Sequence, residues 1–127
     1  DGTVETVHTY GWYLKKFIKD AKSKGARPII CSMIPRNQWA DGKVKRANND
    51  FGKWAKEVAE SEGVFFIDLN AITADKYDVL GPDEVKKLFH GDHTHTSLDG
   101  AKINAEIVIQ QLILQKPGEL ARYILKK

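Results

Sequence analysis

The sequence predicts an α/β fold with a parallel sheet, because two short apolar runs lie between helical segments. The runs are residues 29–33 and 64–67, and neither alternates apolar with polar side chains. Uninterrupted apolar strands are typical of parallel sheets that are covered on both faces. The segment between the runs is long enough for the crossover that parallel strands require. The order α, β, α, β, α, α therefore favours a layered α/β architecture.

Apolar residues at helical spacing mark the helices around these strands. The predicted helices span residues 3–24, 45–62, 71–80, 83–88, 101–114 and 119–125. The helical repeat of the first comprises Val4, Val7, Tyr10 or Gly11, Leu14, Phe17, Ile18 and Ala21. The buried face of the second is predicted to comprise Phe51, Trp54, Ala55, Val58 and Ala59. Residues 36–42, which include Trp39, are predicted to form a polar loop.

Length and composition indicate one globular domain or a piece of one. The chain has 127 residues, of which 42% are hydrophobic and 29% charged, with a net charge of +3. Its densest basic group, between residues 15 and 24, is interrupted by Asp20 and suits a solvated helix face better than a nucleic-acid surface. No apolar run approaches the roughly 20 residues of a membrane span. We expect neither a nucleic-acid nor a membrane partner. Because the chain begins at Asp1, we expect a processed, truncated or excised N-terminus.

Residues 89–100 form the candidate site. They hold three of the four histidines, His90, His93 and His95, together with Asp92, and they lead into the helix at 101–114. Thr96 or Ser97 is a candidate N-cap for that helix. A loop fixed by a rigid helix is where catalytic groups commonly lie.

The spacing of Asp92 and His95 favours an acid–base pair. A turn of three residues brings a carboxylate to the edge of an imidazole, fixes its tautomer and stabilises the imidazolium. These two groups would form the base-and-orienter half of a Ser-His-Asp hydrolase. Asp92 could instead only cap a turn, and His95 could be a hydrogen-bonded structural histidine.

Metal binding is the main alternative chemistry for this loop. His90, Asp92, His93 and His95 are ligand types that suit zinc, so the chain could be a metal-binding hydrolase or module. However, no second ligand cluster occurs in the sequence, and four ligands from six consecutive residues would be crowded. A third possible function is that of a non-catalytic half-domain that associates with a partner.

The motifs resemble one enzyme family. The stretch from Asp92 to Ser97, followed by Gly100-Ala101, is similar to the last conserved block of the SGNH (GDSL-type) esterases, and in particular of the rhamnogalacturonan acetylesterases. Further stretches that fit are Glu5-Thr6-Val7, Lys24-Gly25-Ala26, Ile34-Pro35-Arg36-x-x-Trp39 and Glu62-Gly63-Val64.

This resemblance implies a three-layer α/β/α sandwich on a parallel, flavodoxin-like sheet, of which residues 1–127 would be the C-terminal portion of a single domain. It implies hydrolysis of acetyl esters on pectic galacturonic acid without metal or cofactor, with Asp92 as the triad acid and His95 as the base. It also implies secretion or a periplasmic location, although a cytoplasmic one is possible.

The family's nucleophile block, Gly-Asp-Ser, does not occur in this sequence, nor does its Gly-x-Asn-Asp block. Ser32 follows a strand and is a candidate replacement, on the logic that nucleophilic serines can lie at strand ends. We otherwise expect the isolated chain to be inactive. We also expect the missing N-terminal half, or self-association, to cover an open sheet edge.

Three residues are candidates for substrate binding. Arg36 could pair with a substrate carboxylate or form a surface salt bridge. Trp39 could line a sugar-binding cleft or belong to the core. His93 could support the loop or contact substrate, with an acetylated polysaccharide or oligosaccharide as the expected ligand.

Overall fold

The structure, a computed structural model, describes residues 2, 4–47, 49–115 and 123. The predicted helix at 119–125 lies outside these residues, apart from Tyr123. The elements are α1 (Tyr10–Ser23), β1 (Ile29–Cys31), β2 (Trp39–Ala40), β3 (Lys43–Val44), α2 (Phe51–Ser61), β4 (Phe65–Ile67), α3 (Leu69–Leu80), α4 (Pro82–Lys87) and α5 (Leu98–Gln115).

The two apolar runs pair in parallel, as the sequence predicts. β1 lies beside β4 with Ile29 opposite Phe65 and Cys31 opposite Ile67. The amide of Ser32 adds one more bond, to the carbonyl of Ile67 at 3.0 Å, beyond the last paired residue of β1. Among the strands that the structure describes, β1 and β4 have no other neighbour in this sheet, so each has one free edge.

The prediction of a polar loop over residues 36–42 was wrong at its centre. β2 and β3 form an antiparallel hairpin in which Trp39 is opposite Val44. Both residues of its turn have positive φ, 51° at Asp41 and 75° at Gly42. Asp-Gly is a preferred pair for such a two-residue turn, so the signal for this hairpin was present in the sequence.

Two apolar clusters hold the elements together. One joins α5 to the parallel sheet through Ile67, Ile107 and Leu112, with Ile29 and Phe65 packed against it. The other joins the hairpin, α3, α4 and the start of residues 89–97, here called the histidine loop. It comprises Val44, Ala74, Tyr77, Val85, Leu88 and Phe89. The loop that carries the candidate site is therefore attached to the core at its first residue.

Both of the first two helices begin later than predicted because a side chain caps each at a specific residue. The Thr9 hydroxyl accepts a hydrogen bond from the Trp12 amide at 3.3 Å, so α1 begins at Tyr10 and not at residue 3. The Asp50 carboxylate accepts one from the Gly52 amide at 3.3 Å, so α2 begins at Phe51 and not at residue 45.

The apolar repeats of these two helices are buried only in part, so the buried face predicted for the second helix was right at three of its five residues. Ile18 of α1 is buried, as are Ala55, Val58 and Ala59 of α2. Phe51 and Trp54 were predicted to be buried but are exposed. Four residues of the apolar repeat in the first predicted helix are exposed as well: Val4, Val7, Tyr10 and Phe17. Helical spacing identifies an apolar side of a helix, whereas burial requires a neighbouring element against that side. For α1 and α2 these neighbours are each other, near Gly11 and Val58, and for α2 also the strands β1 and β4.

α5 begins at Leu98, earlier than the predicted residue 101. Of the two candidate caps, Ser97 fills the role, because its hydroxyl accepts a hydrogen bond from the Gly100 amide at 3.3 Å. The Ser97 amide donates to the carbonyl of Leu88 at 2.8 Å, which ties the start of α5 to the end of α4. No described helix has the length and apolarity needed to cross a bilayer.

Gly100 allows this close approach, and replacing it is the most direct test of the packing. A Cβ atom at Gly100 would overlap the carbonyl oxygen of Leu88, which is backbone and has little freedom to move. We expect Gly100→Ala to lower the free energy of unfolding by about 1–3 kcal/mol, measured by chemical denaturation of the protein.

Gly11→Ala is the matched control. It is also a helical glycine, but its Cβ would meet only Val58 Cγ2 at 3.5 Å, an ordinary contact. Alanine should therefore be neutral there or stabilise the protein by up to about 1 kcal/mol. Equal stability of the two variants would contradict the packing described for α5.

Candidate functional site

The histidine loop is a short hairpin whose backbone is fixed at several points. Phe89 and Thr96 form an antiparallel bridge, and the His90 amide donates to the His95 carbonyl at 2.8 Å. The amide of Asn37, on the segment after β1, donates to the His93 carbonyl at 2.9 Å. The loop is thus connected both to the core and to the segment that leaves the parallel sheet.

The Asp92 carboxylate organises the tip of this loop. Its Oδ1 atom accepts hydrogen bonds from the backbone amides of Thr94 and His95, each at 2.7 Å. Its Oδ2 atom accepts one from His95 Nδ1 at 2.6 Å. Turn capping and ring orientation, which were separate alternatives for Asp92 at the level of the sequence, therefore occur together.

These contacts favour the ionised carboxylate. The His95 amide contributes most, followed by the His95 ring and the Thr94 amide, and together they hold the pKa of Asp92 well below its usual range. A carboxylate without a proton can only accept from Nδ1, so the neutral His95 ring carries its proton on Nδ1. Its Nε2 atom is then free to accept a proton, and the side chain is 76% exposed.

The other two loop histidines do not join this pair. His90 and His93 are both exposed, and neither ring forms a hydrogen bond or ion pair with a residue that the structure describes. Across the described ranges, no three His, Cys, Asp or Glu side chains come close enough to hold a metal ion. The four-ligand arrangement of the metal-binding alternative is therefore not formed by His90, Asp92, His93 and His95.

One side of the loop borders a groove of about 500 Å³, here called the Trp39 groove. It is lined by Asn37, Trp39, Pro82, Asp83, Lys86, Gly91, Asp92 and His93. The Trp39 indole donates to Asn37 Oδ1 at 2.7 Å, and the ring packs partly against the hairpin cluster. Trp39 thus both contacts the core and lines a cleft next to Asp92.

Thr94 of the loop borders a second, larger groove of about 700 Å³, here called the strand-end groove. It lies where β1 ends, and its lining includes Ser32, Arg36, Lys45, Asp50, Phe51, Asn70 and Thr94. Ligands of open α/β sheets bind outside the carboxyl ends of the strands, which is the position of this groove. Arg36 is exposed and forms no salt bridge within the described ranges. It lines the strand-end groove, whereas Trp39 and His93 line the Trp39 groove.

Ser32 has a structural environment. It is 3% exposed, its hydroxyl donates to Asp68 Oδ1 at 3.0 Å, and it accepts from the Asn70 amide at 2.8 Å. Asn70 also donates from Nδ2 to the Met33 carbonyl at 2.9 Å and accepts from the Ala47 amide at 3.0 Å. Sequence reasoning missed Asn70, although an Asp-x-Asn triplet directly after a buried strand was a signal for a polar network there.

Comparison with solved structures relates the fold of this chain to that of an esterase. No family model matches the chain. The crystal structure of the YxiM protein of Bacillus subtilis superimposes with a TM-score of 0.80 at 25% identity, over 85% of this chain and 31% of that one. YxiM is described as an uncharacterized esterase. The chain therefore has the α/β fold of part of an esterase.

Curated relatives narrow the class to a family. The chain is 32% identical over 113 residues to the rhamnogalacturonan acetylesterase of Emericella nidulans, over 89% of this chain and 46% of that protein. It is 29% identical over 117 residues to the rhamnogalacturonan acetylesterase RhgT of Bacillus subtilis, over 80% of this chain and 50% of that protein. The chain thus spans about half the length of these relatives. The resemblance to the rhamnogalacturonan acetylesterases of the SGNH family is confirmed.

The lowered pKa of Asp92 predicts a pH dependence of stability. Because the folded loop favours the carboxylate, Asp92 stabilises the fold above the ordinary aspartate pKa of about 3.9. That contribution is lost as the pH falls through the lower pKa of the folded state. The difference in free energy of unfolding between the protein and its Asp92→Asn variant should therefore shrink as the pH falls below about 4.

Denaturation at a series of pH values measures this difference. Glu106→Gln is the control, because Glu106 is an exposed carboxylate of α5 that has no ion pair or hydrogen bond in the part of the chain that is described. A difference for Asp92→Asn that stays constant down to about pH 3 would contradict the proposed role of the carboxylate.

Proposed function

We propose that this chain is part of a carbohydrate esterase that removes acetyl groups from rhamnogalacturonan, and that it supplies Asp92 and His95 to a Ser-His-Asp triad. The observation that carries the proposal is the 2.6 Å contact between Asp92 Oδ2 and His95 Nδ1, which leaves Nε2 free to accept a proton. The names of the curated relatives support the same reaction. We include in this proposal the three-layer α/β/α sandwich of the whole domain.

The two side chains would act in sequence on one proton. His95 Nε2 takes the proton of the serine hydroxyl as the serine oxygen bonds to the acetyl carbonyl carbon, and the ionised Asp92 stabilises the resulting imidazolium. His95 then gives that proton to the departing sugar oxygen as the ester bond breaks. In the second half, His95 Nε2 takes a proton from water as the water oxygen bonds to the acetyl carbon. His95 then returns that proton to the serine oxygen as the bond between serine and acetyl breaks, which releases acetate.

The serine itself is proposed to come from a segment outside these 127 residues. Each of the four serines already has a structural hydrogen bond through its hydroxyl. Their acceptors are the Asp20 carbonyl for Ser23, Asp68 Oδ1 for Ser32, the Val58 carbonyl for Ser61 and the Lys87 carbonyl for Ser97. The segment that brings the nucleophile, or else a second copy of this chain, would also cover a free edge of the parallel sheet.

Substrate contacts are proposed in both the Trp39 groove and the strand-end groove. Trp39 and His93 line the groove beside Asp92, where a flat indole suits the apolar face of a sugar ring. Arg36 lines the strand-end groove and is available to bind a galacturonate carboxylate through two parallel hydrogen bonds. Because intact polysaccharides do not enter cells, we propose a secreted or periplasmic location.

Substitution of the two neighbouring histidines tests the mechanism. We use the term complete enzyme for this chain together with the segment that carries the serine. In it, His95→Ala should lower kcat for acetate release by roughly four to six orders of magnitude, because the general base is lost. His93→Ala is the matched control, two residues away in the same exposed loop, and its effect should be far smaller.

The measurement is the rate of acetate release from acetylated rhamnogalacturonan, with circular dichroism to establish that both variants fold. Equal losses for the two variants would reject His95 as the base. Full activity of His95→Ala would reject the triad altogether.

A further inference from the structure

Three exposed aromatic side chains, here called the aromatic platform, lie together where α1 and α2 begin. They are Tyr10, Phe51 and Trp54. The ring centroids of Tyr10 and Phe51 are 5.2 Å apart, and those of Phe51 and Trp54 are 5.3 Å apart. Trp54 is 44% exposed, whereas Ala55, Val58 and Ala59 of the same helix are buried. None of these residues has a role in the acid–base chemistry described above.

The platform is continuous with the strand-end groove. Phe51 is a platform residue and also lines that groove, together with Arg36 and Thr94. Thr94 lies between Asp92 and His95 in the sequence, so the groove borders the loop that carries the acid–base pair. Trp54 lies one helical turn further along α2. A ligand that fills the groove would therefore contact Phe51 and lie next to Trp54, whose ring centroid is 5.3 Å from that of Phe51.

The geometry of the rings suits a sugar chain. Phe51 meets Tyr10 at an interplanar angle of 77° and Trp54 at 80°, so the rings contact edge to face and do not stack on one another. The three side chains are between 38% and 44% exposed, so part of each ring is open to solvent. Polar side chains of the adjoining groove, Gln38, Lys45 and Asp50, can hydrogen-bond hydroxyl groups. An apolar face beside hydrogen-bonding groups is the combination that a pyranose ring presents in return.

We propose that the aromatic platform is a binding subsite for the polysaccharide chain, away from the ester that is cleaved. The proposal rests on the proposed function for its ligand class. It assigns Trp54 to binding of the polymer and gives it no part in the hydrolysis of the acetyl bond. The platform would hold sugar residues that flank the acetylated one, so polymers should bind more tightly than short esters do.

The chain contains a matched control in a second aromatic cluster. Trp12 is 43% exposed, close to the value for Trp54. Its ring is stacked on His8, with centroids 3.7 Å apart and an interplanar angle of 17°, and it meets Tyr13 edge to face. Neither tryptophan lines the strand-end groove, but Trp54 packs on Phe51, which does, whereas Trp12 packs on His8 and Tyr13. Loss of its ring should therefore leave binding to the groove unchanged.

The experiment compares Trp54→Ala with Trp12→Ala in the complete enzyme. Binding is measured by affinity electrophoresis in gels that contain deacetylated rhamnogalacturonan, and hydrolysis is measured on p-nitrophenyl acetate. We expect Trp54→Ala to weaken the apparent affinity for the polysaccharide by roughly three- to tenfold, as expected for loss of one aromatic contact, and Trp12→Ala to leave it unchanged. Both variants should hydrolyse the small ester at the rate of the unaltered enzyme.

Several results would overturn the subsite. These are unchanged retardation of Trp54→Ala, equal weakening by the two variants, or no retardation of the unaltered enzyme. If Trp54→Ala melts at a much lower temperature, Tyr10→Ala and Trp54→Phe replace it, and a loss of stability in all three would show that the platform packs against another segment and not against sugar. The binding assay needs no hydrolysis, so an enzyme that releases no acetate but is retarded through Trp54 would reject the proposed function and retain the subsite.

Discussion

The Asp92 carboxylate is the group on which the geometry of the site depends. Its three hydrogen bonds, to two backbone amides and one imidazole, fix the turn and the ring together. An isolated pair of exposed side chains would gain little from such contact, because solvent screens it and two flexible side chains lose entropy. Here the turn immobilises both partners, so the orientation of His95 follows from the backbone conformation of residues 92–95.

That conformation in turn depends on packing outside the loop. Leu88 and Phe89 anchor one end in the core, and Ser97 with Gly100 brings the start of α5 against the Leu88 carbonyl. The bond from Asn37 to His93 adds a connection to the segment after β1. The loop can therefore present an exposed imidazole in a defined position, which a freely moving loop could not do.

Local patterns predicted much of this arrangement. Two uninterrupted apolar runs identified the parallel strands, and the three-residue spacing from Asp92 identified His95 as its partner. Helix starts were missed because capping by Thr9 and Asp50, and not the apolar periodicity, determines where α1 and α2 begin. The exposure of Phe51 and Trp54 and the network around Asn70 depend on contacts between segments distant in sequence, which periodicity does not report.

The central claim is that Asp92 holds the neutral His95 ring with its proton on Nδ1. Nitrogen-15 NMR of the imidazole in the complete enzyme, above the pH at which the ring is protonated, distinguishes the two neutral tautomers directly. The account predicts the Nδ1–H tautomer, with Nε2 unprotonated, and a shift away from it in the Asp92→Asn variant. A His95 ring that carries its proton on Nε2 in the unaltered protein would contradict the account, because that nitrogen could not accept a proton from serine.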